Sequence, residues 1–99
     1  MTERERVDAL LAGTGMRFLE QPLADDAWRF TTTEGGVEAD VYIVDDDPEG
    51  AAARLREREG DLASHNGRIV FRVRYTGEEA GLAGEIRAGT VAGALAGEE

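Results

Sequence analysis

Lysine and cysteine are both missing from this chain. Without cysteine there is no disulfide scaffold, no thiolate metal site and no cysteine nucleophile. No apolar run approaches the ~20 residues of a membrane-spanning helix, and the opening Met1-Thr2-Glu3-Arg4-Glu5-Arg6 is a charged helical stretch rather than a signal peptide. The expected location is therefore the cytoplasm, with no membrane contact. All positive charge is arginine, 11 residues against 21 Asp and Glu, for a net charge of -10 on 99 residues. Such an acidic chain is a poor nucleic-acid binder, because attraction to phosphate dominates non-specific affinity there.

What is present in excess is carboxylate. Carboxylates hold water and cations, and a net charge far from zero keeps a protein soluble. At molar salt the Debye length is about 3 Å, so surface carboxylates barely repel one another. In dilute buffer the same surplus strains the compact state. The melting temperature is therefore expected to be higher in several-molar KCl than in dilute buffer. Equal or lower melting in salt would leave a high-GC genome as the better explanation of the missing lysine.

A single domain, 1–99 with no linker, is the reading this length supports. Residues 2–12 predict a helix with Thr2 as N-cap, Glu5 at capping-box spacing, and Val7, Leu10 and Leu11 as its apolar stripe. Segment 16–21 reads as a short strand that Pro22 stops or confines to an edge. Segments 27–33 and 37–44 read as a hairpin across Gly35-Gly36. Asp47 as N-cap and Pro48 at the first helical position open a second helix that runs to about Glu59 and stops at Gly60. Ser64-His65-Asn66-Gly67 reads as a turn. Segment 68–75 is strand-like, and 78–95 reads as a final helix rich in Ala and Gly. Alternation places Trp28, Phe30, Val41, Ile43, Ile69, Phe71 and Val73 in the core. The order α-β-β-β-α-β-α predicts an α+β two-layer sandwich, mainly antiparallel, with helices on one face. The helix between the third and fourth strands predicts that this pair is parallel or non-adjacent.

Four features have chemical as well as structural readings. Asp45, Asp47 and Glu49 form an acidic run that suits a divalent cation, but helix capping already accounts for them. His65 is the lone histidine and lacks the companion ligands of a transition-metal site. As the neighbour of Ser64 it does not make a nucleophile pair. Arg29, Arg72 and Arg74 share one sheet face and suit an anion, or else pair with Glu38 and Asp40 across strands. Gly84, Gly89, Gly93 and Gly97 match no phosphate loop, and in a helix they mean close packing of helices or simply a weak helix. No catalytic residue and no cofactor is indicated. In the final helix Leu82 and Ile86 lie almost opposite Val91 and Leu95, so either the helix breaks near Gly89-Thr90 or it is apolar on two sides and covered on both. In the second case one small sheet covers one side, and Val91 and Leu95 are expected to meet a second subunit. The alternative puts them in a frayed tail that ends in Gly97-Glu98-Glu99.

The composition resembles that of salt-in halophilic archaea. VEADVYIVDDDPEGAAARLREREG and GRIVFRVRY resemble a small haloarchaeal family, a domain of unknown function, over most of the chain. That likeness implies halophilic cytoplasmic biology and no particular chemistry. The element order is also similar to the start of secretion-chaperone-like two-layer folds, which bind partner proteins and often dimerise. Those folds place two strands after the middle helix, where this reading finds one. The expected function is a small protein-interaction or adaptor module forming a homodimer. The alternative is an anion- or divalent-cation-binding domain, or an enzyme, using the outer sheet face or the acidic helix start.

Overall fold

The computed structural model describes residues 2–33, 36–59, 62–76 and 82–97. The Gly35-Gly36 turn, the Gly60 stop and positions 78–81 of the final helix fall wholly or partly outside them. Helix α1 (Glu3–Ala12) begins with a reciprocal cap. The Thr2 hydroxyl accepts from the Glu5 N–H, and the Glu5 carboxylate accepts from the Thr2 N–H, each at 3.1 Å. Strands β1 (Phe18–Ala24), β2 (Ala27–Thr32) and β3 (Val37–Ile43) follow as an antiparallel meander. Pro22 sits inside β1 at the sheet edge, where its missing N–H costs no ladder bond, and the register shifts between Pro22 and Ala24.

Helix α2 (Pro48–Glu59) starts as predicted from Asp47. The Asp47 carboxylate accepts from the Gly50 N–H and its carbonyl from the Ala51 N–H, both at 3.0 Å. Asp47 itself has φ 56, a left-handed conformation that short polar residues tolerate.

The segment after α2 differs from expectation. Residues 64–66 are not a turn but belong to strand β4 (Leu62–Asn66), which pairs antiparallel with β5 (Ile69–Tyr75). The turn is the two-residue loop Gly67-Arg68, with Gly67 at φ 60, the glycine-first hairpin form. The order is thus α-β-β-β-α-β-β-α, closed by α3 (Leu82–Leu95). The extra strand corrects the topology as well. β3 and the strand after the turn are adjacent and antiparallel, from Val37↔Tyr75 to Ile43↔Ile69. The α2 crossover lands instead on β4, which runs parallel to β3 with β5 between them in the order β1-β2-β3-β5-β4.

The α+β class and the antiparallel sheet are as the sequence predicted. Helices α1 and α3 pack on one face, where Val7, Leu11, Ala88, Val91 and Leu95 meet Phe30, Val41, Ile69, Phe71 and Val73. Trp28 and Ile43 join that core half-buried at its rim. The helices are not all on one face as expected: α2, which crosses from β3 to the edge strand β4, lies across the other face over β4 and β5, burying Ala52, Ala63 and Val70. Arg4 of α1 reinforces the first face, with its guanidinium 5.5 Å from the Trp28 ring centroid and 5.1 Å from that of Phe30.

Candidate functional site

Helix α3 is two-sided, as its sequence implies, but the sides are reversed. Val91 and Leu95 are fully buried against this chain's own sheet, so they are not a partner-facing side. Leu82 and Ile86 are the outward pair, 72% and 59% exposed. The choice is made by small residues. Gly84, Ala88, Val91 and Leu95 recur at intervals of four, three and four, which puts them on one side of the helix. That side can approach the sheet closely because Gly84 carries no side chain. A Cβ there would lie 2.6 Å from the Tyr75 ring. Spacing of the small residues was the signal for this facing, and large apolar residues alone do not carry it.

Next to the outward side of α3 runs a groove of about 230 Å³ between the helix and β4. Gly89, Ala92, Gly93 and Ala96 form its helical wall, and Leu62, 46% exposed, stands on the strand side. Leu82 and Ile86 are one turn apart, so the apolar surface is contiguous. Leu19 and Leu23, the other exposed large apolar residues, belong to β1 and are separated along an edge strand.

Both edges of the sheet are closed to simple strand addition. β1 carries Pro22 and a register shift, each of which blunts an edge. On β4, the two-residue hairpin makes Asn66 and Ile69 a hydrogen-bonded pair. Alternation along the ladder then turns the Ala63 carbonyl outward. Arg56 of α2 reaches that carbonyl and donates to it from Nε and Nη2, at 3.2 and 2.9 Å.

On the opposite sheet face, the structure does bring Arg29, Arg72 and Arg74 together, and it places two carboxylates among them. Asp40 is 1% exposed and accepts from both Arg29 and Arg72. The Arg29 contact is two-pronged, at 2.8 and 3.2 Å. Arg74 donates to Glu38 from Nε at 3.0 Å, and Arg29 approaches Glu38 at 3.4 Å. Burial pushes the Asp40 carboxyl up. Hydrogen bonds and charge from Arg29 and Arg72 outweigh that and hold it below the usual carboxylate value. This is cross-strand pairing at the centre of a sheet.

The acidic run is dispersed by its own partners. Asp45 pairs with Arg68, Asp47 caps α2, and Glu49 lies in the first helical turn. Among the described residues no three His, Asp or Glu side chains are grouped to hold a metal ion. His65 sits on β4, and its Nδ1 is buried without a hydrogen-bond partner. A shallow depression of about 560 Å³ beside Trp28 contains Arg4 and Arg68, and both are tied to carboxylates, Asp8 and Glu20 for the first, Asp45 for the second. No described helix is long and apolar enough to cross a membrane. No protein-family model, curated protein or solved structure matches the chain.

Proposed function

We propose that this chain is a small protein-interaction or adaptor module that works as a homodimer. The observation that carries the reading is the exposed apolar pair Leu82 and Ile86 on α3, together with exposed Leu62 on the wall of an open groove between α3 and β4, on a chain of net charge -10. Contiguous exposed apolar surface on a soluble domain marks a contact site more often than a scattered side chain does. The arginines of the polar sheet face are held by Asp40 and Glu38, which leaves that face less suited to an anion than its composition suggests. The strand β4 also supplies the second strand that secretion-chaperone-like folds place after their middle helix, and those folds bind proteins and often dimerise. The halophilic, archaeal and cytoplasmic setting is part of the proposal and rests on the acidic, lysine-free composition.

Light scattering in molar KCl, run beside a thermal-shift screen of nucleotides, phosphates and divalent metals, tests this. A mass that rises with concentration, without ligand shifts, supports the module. A monomer with a specific ligand shift would replace it with the ligand-binding reading.

A further inference from the structure

We propose that two copies dock through α3 in antiparallel fashion, setting Leu82 of one copy against Gly93 of the other and Ile86 against Gly89. The inference rests on the homodimer reading and deepens it by specifying how the second copy sits. Leu82, Ile86, Gly89 and Gly93 recur at intervals of four, three and four and so share one side of the helix. The first half of this stripe is bulky and exposed, and the second half is bare and borders the groove. Facing positions of an antiparallel pair run in opposite directions, so pairing 82 with 93 brings 86 onto 89. Each large side chain then meets a glycine, and the two-fold repeats the contact, as an isologous interface requires. A parallel pair would set leucine on leucine and leave glycine facing glycine across a void, which close packing disfavours.

Two glycines of α3, Gly84 and Gly89, are not equivalent. Gly84 is required by Tyr75 within the chain, but a Cβ at Gly89 would meet nothing within 4 Å. An interior helix glycine is less favourable than alanine, and among the described residues no atom occupies the space a Cβ at 89 would take. A second backbone approaching closely would use that space. The stripe itself favours a like copy as occupant, because its bulky half matches its own bare half under a two-fold and its four residues are all uncharged. The 14 residues of α3 span about 21 Å. With the groove, the contact buries roughly 400–600 Å² per copy, the low end for a specific interface, which means a reversible dimer. Salt tightens it, because screening removes repulsion between the acidic copies.

The test uses the full chain in molar KCl, by sedimentation from micromolar to millimolar protein. Gly89→Leu is expected to stay folded by circular dichroism and to weaken the dimer by about tenfold or more. Because the chain has no cysteine, two single-cysteine variants report the register directly. A mixture of Leu82→Cys and Gly93→Cys should form the mixed disulfide in preference to either homodisulfide. A dimer that Gly89→Leu leaves intact, or preferred 82–82 disulfides, would overturn the antiparallel packing while leaving the homodimer. A parent that stays monomeric at millimolar concentration would remove both.

Discussion

Phe71→Ala is expected to lower the unfolding free energy by about 3–5 kcal/mol, the loss typical of emptying a buried aromatic site. Phe71 is 1% exposed on the inner strand β5, with Val41 of β3 on one side and Ser64 of β4 on the other. Its ring belongs to the same cluster as Ala88, Val91 and Leu95 of α3. The cavity would therefore open between the sheet and its cover, where neither can shift without breaking ladder bonds. A domain of this size has only about 5–15 kcal/mol in total, so the variant should be partly unfolded in dilute buffer. Denaturant melts read the effect, and an unchanged midpoint would place the ring outside the core. Ile86→Ala is the matched control. It removes an aliphatic side chain of similar role in the sequence pattern but 59% exposed, and should change the midpoint of the isolated chain little.

Asp40→Ala is the second large expected effect, at about 3–5 kcal/mol, because it breaks a buried, hydrogen-bonded ion pair by removing one partner. The side chains involved are deep, 1% exposed for Asp40 and 6% for Arg72. Removing the carboxylate takes from buried Arg72 its closest counter-charge and leaves Glu38, 3.9 Å from Arg72 and 3.4 Å from Arg29, to face both guanidiniums. Asp45→Asn breaks a pair of the same chemistry, but its carboxylate is 78% exposed and the loss should be near zero. The pH dependence has a definite sign. The Asp40 carboxyl is held lower in the folded chain than in the unfolded one. Its contribution is therefore fully present above about pH 3.9, the ordinary aspartate value, and is lost as pH falls through the folded value. The gap between parent and an Asp40→Asn variant should narrow over that acid range. A gap that stays constant with pH would show that the charge is not what matters there. Salt should leave the gap nearly intact, since buried pairs are weakly screened.

These residues also show what the chain makes legible. Thr2, Glu5, Asp47 and Pro48 announce helix starts because capping is local chemistry, decided within four residues. Alternation from Val37 to Ile43 and from Ile69 to Tyr75 announces strands, because the residues facing α1 and α3 are apolar while the other face of each carries charged or polar side chains, among them Asp40 and Arg72. Strand β4 is hidden for the converse reason. Leu62-Ala63-Ser64-His65-Asn66 has no β-branched or aromatic residue, and it is held by β5 and α2 rather than by its own preferences. Missing it also misplaced β5, since one strand more or less reverses the direction of the next. Which side of α3 turns inward was a packing decision. It was taken by Gly84 against Tyr75, two residues that are not neighbours in sequence. The buried pairing of Asp40 was foreshadowed by alternation, but its depth follows from three strands meeting and is a property of the assembled sheet.

The strand order has a consequence for synthesis. β5 is made last among the strands, yet it lies between β3 and β4. While the nascent chain leaves the ribosome, α1 and the β1–β3 meander emerge first, with the inner edge of β3 unpaired and Val37, Ala39 and Val41 uncovered on one side. The open edge cannot be paired by anything translated up to that point, and α1 shares the cover of that face with α3, which is still to come. An open apolar strand edge is the surface along which unfinished chains stick to one another. The final strand and helix therefore act as a clasp. The meander gains its missing neighbour only when the closing hairpin slots in, and the interior is sealed only when α3 comes down over it.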